Sequence, residues 1–303
     1  MKKPAIIALL LISTITVSAQ EAKTDTLQPK FVQQINKATT WLTDKGVQVQ
    51  RTFDGSKSES KPAAISWNSD YENKKFFTVI DAGIKLAQLE VFPNSTKFIL
   101  LFYPKVEWHR NTINEGDKKK NNLTGGLNTE FIWSIGEHWY ENPYITGSFD
   151  YKKDFIKDLK TTQAKAYFSF SGIQEGDPGA AVRNSTDAIV FRYYPYIGIE
   201  HYRSIDKMRQ KASMWANRLY IELYPLSRNE YKYIQLSVDY TYRKVFSDNL
   251  YNQGNLDWLA LSLTFYPGGN DKLGLGLDYS QGEDPTSNFV KTKLLALGIK
   301  LKI

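Results

Sequence analysis

The sequence predicts an all-β fold: an antiparallel transmembrane up-and-down β-barrel of about 12 strands. From residue 76 onward, apolar and polar residues alternate with period two in eleven successive segments, the pattern of strands with one apolar face. After the N-terminal apolar run, no segment has the roughly 18 consecutive apolar residues that a spanning helix needs. The chain contains no cysteine, so its stability must come from strand pairing and burial.

The last strand has the clearest alternation. One face carries Leu295, Leu297, Ile299, Leu301 and Ile303, and the other carries Ala296, Gly298, Lys300 and Lys302. An amphipathic strand that ends in an apolar residue resembles the C-terminal signal of bacterial outer-membrane β-barrel proteins. The resemblance is to this broad class. It implies a location in the outer membrane of a Gram-negative cell and indicates no particular activity.

The N-terminus has the features of an export signal. Two lysines precede an apolar run, residues 5–12, and the small residues 17–19 suit cleavage before Gln20. We therefore expect a signal peptide at residues 1–19, a short periplasmic segment at 20–43 and the barrel at 44–303. Helical spacing in the periplasmic segment predicts a short amphipathic helix, with a poorly ordered tail as the alternative. The residues at this spacing are Phe31, Ile35, Ala38 and Leu42.

An even strand number requires one strand before residue 76, and residues 46–53 are the candidate because they alternate. With the C-terminus in the periplasm, this count makes the external loops long and the periplasmic turns short, as in outer-membrane barrels. The expected external loops are residues 110–126, 152–160, 203–211, 244–256 and 281–288. The expected turns are residues 93–97, 225–230 and 267–271. Residues 172–185 form a long connection on the periplasmic side, which indicates a misplaced strand nearby.

Charged side chains of both signs are predicted to face the lumen. They are Asp81, Lys85, Lys105, Glu107, Glu130, Arg192, Glu200, Arg218, Glu222, Asp239, Arg243 and Asp278. A polar lumen is typical of a water-filled channel, but opposite charges on neighbouring strands equally favour a salt-bridged interior that blocks it. The sequence therefore predicts either a small-solute channel or a structural component of an envelope assembly.

Positive charge gathers in the expected external loops, at Lys118, Lys119, Lys120, Lys207 and Arg209. Such loops suit the phosphates of lipopolysaccharide, so outer-membrane lipids, lipopolysaccharide and envelope proteins are the expected partners. A merely solvated loop is the alternative. The net charge of +7 falls to +5 if Lys2 and Lys3 leave with the signal peptide. This charge is modest, so nucleic-acid binding is not expected.

No catalytic group is evident, so the sequence predicts a protein that is not an enzyme. Some twelve-stranded outer-membrane barrels are phospholipases with a Ser nucleophile and a His base on the outer wall, within hydrogen-bond reach. His201 faces outward, but position 203 is Arg and Ser204 points inward. His109 faces inward, and His138 lies in a turn without a serine. The alternatives are a phospholipase-like lipid-modifying enzyme and a secreted soluble β ligand-binding protein. No cofactor is expected, nor a metal, because the histidines lack ligand spacing.

Overall fold

The computed structural model describes residues 40–302, except residues 43, 55–58, 60, 71–74, 96, 114–118, 171, 173, 184–188, 207–209, 229–230, 252–253 and 270. The expected signal peptide, residues 20–39 of the expected periplasmic segment and the terminal Ile303 lie outside the described residues. The predicted amphipathic helix therefore also lies outside them, apart from Leu42.

Twelve antiparallel strands of the described chain form the barrel. They are β1 (Ala63–Asp70), β2 (Lys75–Lys85), β3 (Phe98–Asn111), β4 (Asn121–Trp133), β5 (Pro143–Asp154), β6 (Leu159–Phe170), β7 (Val190–Ser204), β8 (Lys211–Tyr224), β9 (Ile234–Asp248), β10 (Leu256–Phe265), β11 (Leu273–Asp284) and β12 (Val290–Leu301). Each strand pairs with the next strand along the chain, and β12 pairs with β1 from Leu294 opposite Asp70 to Leu301 opposite Ala63. This last pairing closes the sheet, so the predicted barrel of about twelve strands is confirmed.

The predicted position of the first strand is wrong. Residues 46–53 contain only the short strand Gln48–Gln50, which pairs with the end of β2. The barrel strand is Ala63–Asp70, where Ile65 and Trp67 are exposed and Ser66 and Asn68 are buried. Both segments alternate over a few residues. Alternation alone therefore could not decide which one joins the barrel.

The predicted alternation of long external and short periplasmic connections is also wrong. We call the end with Ala63 and Leu301 the terminal mouth, and the opposite end the distal mouth. Connections at the distal mouth are residues 71–74, 112–120, 155–158, 205–210, 249–255 and 285–289. Those at the terminal mouth are residues 86–97, 134–142, 171–189, 225–233 and 266–272. Strands such as β9 and β11 continue into the residues expected to be external loops and shorten them.

The long connection between β6 and β7 does not mark a misplaced strand. Residues 171–189 include the short strand Val182–Arg183, which pairs with the first two residues of β7. Other short elements are the strand Leu89–Glu90, the hairpin of Ser227–Arg228 with Tyr231–Lys232, and the 3₁₀ helices Trp139–Glu141 and Pro285–Ser287. All of them lie outside the ring of twelve strands.

Strand alternation places apolar side chains on the outer wall and charged ones inside. Leu297 and Ile299 of β12 are 54% and 46% exposed, whereas Glu130, Glu200 and Glu222 are fully buried. Exposed large apolar residues occur on each of the twelve barrel strands. This distribution is the reverse of a soluble domain, whose interior is apolar. In the described part of the chain, no helix has the length and hydropathy to cross a membrane.

Candidate functional site

The structure places the twelve charged residues predicted to face the lumen inside the barrel. Most are engaged with a neighbour of opposite charge. Arg243 donates from Nε to Glu200 at 3.0 Å, Lys300 contacts Asp278 at 2.5 Å, and Arg192 lies 3.9 Å from Glu222. The lumen is therefore filled by a network of ion pairs rather than lined by charges of one sign.

A segment that precedes β1 enters this network. We call residues 51–62 the lumen segment; residues 55–58 and 60 of it are not described. Glu59 accepts hydrogen bonds from Arg218 on β8, with Nη1 to Oε1 at 3.1 Å and Nη2 to Oε2 at 2.6 Å. Tyr196 on β7 donates to Glu59 at 2.5 Å, and Lys61 pairs with Glu59 at 2.8 Å. Arg218 also binds Asp239. Glu59 is 1% exposed, so this clamp is fully enclosed.

The same segment also binds strands on the other side of the barrel. Asp54 lies 3.5 Å from Lys105 on β3 and 2.8 Å from Lys165 on β6. The backbone N–H of Phe53 donates to Glu107 at 2.8 Å. Strands β3 and β8 are five positions apart in a ring of twelve. A segment bound to both of them crosses the lumen.

The charge of the lumen segment is stabilised by these contacts. Burial raises the pKa of Glu59, but the positive charges of Arg218 and Lys61 outweigh it, so the pKa lies below the ordinary value for glutamate. Burial also raises the pKa of Asp54, and Lys165 and Lys105 overcome it, so this pKa lies well below the ordinary value. Both carboxyl groups therefore stay ionised at neutral pH.

The distal mouth is covered by the connection between β11 and β12. Lys152 on β5 donates to the Oδ1 of Asn288 at 2.9 Å, and Asn288 donates to Asp154 at 2.5 Å. Phe289 is 1% exposed and packs edge-on against Tyr202 and Tyr251. Strand β5 is not a neighbour of β11 or β12. The connection therefore reaches across the opening.

A polar cavity of about 190 Å³ remains between the lumen segment and the distal cover. It is bounded mainly by β1, β2 and β8–β12, and its lining includes Asn68, Asp81, Ser262, Asp278 and Lys300. A polar space of this size can hold several water molecules or a small solute.

Of the predicted basic loop residues, Lys118, Lys207 and Arg209 lie outside the described residues. Lys119 is exposed at the distal mouth. Lys120 departs from the prediction because it is 7% exposed and turns inward, with its Nζ 3.2 Å from Asp81 and 3.0 Å from the Oγ1 of Thr286. The carboxylates Asp81 and Asp284 inside the barrel attract this side chain, so it cannot serve an external basic patch.

The histidines lie in three different settings. His109 faces inward and contacts Asp81 at 2.8 Å, and His138 is exposed at the terminal mouth. His201 faces outward on β7, as expected, and it has a serine partner on the adjacent strand, which residue spacing along one strand does not predict. Its Nδ1 lies 2.8 Å from the Oγ of Ser213 on β8. Neighbours on one face of a strand are two residues apart, whereas directly opposite residues on adjacent strands are closer.

Among the described residues, no group of histidines and carboxylates has the arrangement of a metal site.

No protein-family model matches the sequence, and no characterised protein matches it. A solved structure from a study of the mechanism of in-meso crystallization of membrane proteins is 12% identical, with a TM-score of 0.37, covering 80% of this chain and 83% of its own. The β domain of the Bordetella autotransporter Brka is 10% identical, with a TM-score of 0.37. This match covers 84% of this chain and 98% of the β domain.

Proposed function

We propose that the protein is an outer-membrane β-barrel whose lumen is closed by its own chain, and that it acts as a structural component of the envelope rather than as a constantly open pore. The apolar outer wall supports membrane residence, since a soluble monomer rarely exposes a continuous apolar surface of this extent. A closed barrel also satisfies its backbone hydrogen bonds without water.

The enclosed clamp between Glu59 and Arg218 carries the proposal of a closed lumen. A bidentate pair of this kind is strong and fixes geometry. It joins a segment outside the ring of strands to β8, while Asp54 joins the same segment to β3 and β6. A chain held at both sides of a narrow barrel leaves little space for solute flow.

Planar-bilayer recordings of the variant Asp54→Asn/Glu59→Gln test this proposal. Both substitutions keep the size of the side chain and remove the charge that holds the segment. We expect frequent opening events in the variant and few in the wild type. The matched control is Glu90→Gln/Glu137→Gln, which removes the same charge from exposed positions at the terminal mouth. Equal conductance in all three proteins would contradict closure by the lumen segment.

A small-solute channel that opens on displacement of the lumen segment is the second candidate. The polar cavity of about 190 Å³ favours it, because removal of the segment would extend this space toward the terminal mouth. Regular, long-lived openings of the wild-type protein would support the channel over the structural role.

A further inference from the structure

The outer wall carries a serine and a histidine side by side near the distal mouth. His201 on β7 and Ser213 on β8 are directly opposite, and both face outward. The 2.8 Å between Nδ1 and Oγ is the distance at which an imidazole can take the serine proton. Both side chains are partly exposed. A histidine base next to a serine is the arrangement that activates this residue as a nucleophile.

A β-bulge lies next to this pair. Ser213 is opposite Ser247 on β9, but Met214 is opposite Val245, so Phe246 is an extra residue. Bulges bend a strand and redirect its side chains, and they are frequent beside active sites. The extra residue is on β9, which pairs with β8 on the side away from His201, so the sheet is locally irregular beside the pair.

The rows of residues above and below the pair differ in chemistry. Toward the distal mouth the next outward pair is Arg203 opposite Lys211, and toward the middle of the wall it is Ile199 opposite Trp215. Successive rows are two residues apart, roughly 7 Å. A glycerophospholipid has its acyl esters between its phosphate and its hydrocarbon chains. With phosphate at the basic row and a chain at the apolar row, an ester would lie beside the pair.

The basic row continues onto neighbouring strands. Lys153 on β5 is directly opposite Lys160 on β6, as Arg203 is opposite Lys211. Like charges directly opposite each other destabilise a sheet unless a negative charge lies nearby. Lys153 and Lys160 each contact an acidic residue of the adjoining turns. Arg203 and Lys211 have no acidic partner in the described part of the chain and remain available for a lipid phosphate.

We propose that Ser213 and His201 form a catalytic pair that hydrolyses the acyl ester of a glycerophospholipid on the outer wall. The proposal rests on the membrane location under "Proposed function" and does not depend on whether the lumen is closed. Arg203 and Lys211 bind the phosphate of the lipid and so hold the ester beside the pair.

The reaction needs only lipid and water. The Oγ of Ser213 bonds to the ester carbonyl carbon while His201 takes the hydroxyl proton, and the C–O double-bond electrons move to oxygen. Collapse of this intermediate breaks the ester C–O bond, and His201 gives its proton to the departing alcohol. Water then attacks the acyl-serine with His201 as base, which releases a fatty acid and restores Ser213. No third residue orients His201 among the described residues, so we expect slow turnover.

The test is fatty-acid release from phosphatidylglycerol in mixed micelles by the folded full-length protein. We expect Ser213→Ala to abolish release and His201→Gln to lower it at least about 100-fold. Ser247→Ala is the control, because Ser247 is an outward serine directly opposite Ser213. A fluorophosphonate probe should label Ser213, as identified by mass spectrometry of the peptide. Label on another serine, or release that survives Ser213→Ala, would overturn the proposal.

The phosphate contacts have a separate test. We expect Arg203→Gln/Lys211→Gln to raise KM for phosphatidylglycerol roughly tenfold or more, with a smaller effect on kcat. Lys291→Gln/Lys293→Gln removes the same charge from an exposed outward site on β12 and should change neither constant. Diacylglycerol with the same chains should be a poorer substrate. A heat-modifiable, membrane-inserted barrel with no release and no label would refute catalysis and leave the structural role intact. A barrel that fails to insert would refute both.

Discussion

Substitution of Glu59 by glutamine should loosen the lumen segment without a change of volume. The carboxylate of Glu59 accepts two hydrogen bonds from Arg218 and one from Tyr196. Hydrogen bonds to charged groups contribute about 1.5–3 kcal/mol and neutral ones about 0.5–1.5 kcal/mol. Arg218 keeps its contact with Asp239 in the variant. We therefore expect the segment to be held less tightly by about 1–2 kcal/mol, so that its released population rises roughly 5- to 30-fold.

The absence of cysteine makes this effect measurable by chemical labelling. A single Thr52→Cys substitution places a thiol on the lumen segment, and a membrane-impermeant maleimide reports how often it is accessible. The labelling rate should rise roughly 5- to 30-fold when Glu59→Gln is added to Thr52→Cys. Glu90→Gln in the same background should leave it unchanged. An unchanged or slower rate with Glu59→Gln would refute the clamp.

Three further predictions concern pH, backbone strain and the outer wall. Because the pKa of Glu59 is lowered in the folded barrel, its stabilising effect is present above the ordinary glutamate pKa and is lost as pH falls through the lowered value. Only the thiolate reacts with maleimide, so the labelling rate of Thr52→Cys is divided at each pH by that of a free thiol. This normalised rate should rise only in acid, and Glu59→Gln should weaken the rise. Gly282 has φ +108°, and a Cβ there would lie 2.1 Å from a backbone carbonyl oxygen of β10. Gly282→Ala should therefore lower the free energy of unfolding by about 1–3 kcal/mol in urea titrations. Gly125 has open space around it, so Gly125→Ala should not lower it. Leu297→Arg should make folding into liposomes less favourable by about 2–4 kcal/mol if this residue lies at mid-bilayer. A destabilisation below about 0.5 kcal/mol would exclude a lipid contact there.

Strand alternation was sufficient to predict the barrel and its inward charges. The apolar face of β12 and the burial of Lys300 follow from a period of two, which pairing across the sheet enforces. It did not predict strand ends, because β9 and β11 continue beyond the part of each strand that alternates apolar with polar. Alternation does not distinguish residues 46–53 from Ala63–Asp70, because a short alternating segment looks the same whether or not it completes a barrel.

The lumen segment and the outward pair could not be predicted from local pattern. Glu59 and Arg218 are far apart in sequence. Glu59 lies in the lumen segment, outside any strand, and Arg218 lies on β8. Ser213 meets His201 only through the register of β7 with β8. The sequence does place both residues on outward positions, His201 near the end of β7 and Ser213 near the start of β8. Only the pairing register of β7 with β8 places the two side chains side by side.

Closure of the lumen by the chain itself is most directly tested by planar-bilayer conductance of the wild-type protein beside a variant that lacks residues 44–62. The structure predicts a wild type that is closed for most of the recording and a deletion variant with sustained conductance. Sustained conductance of the wild type, equal to that of the deletion variant, would contradict it.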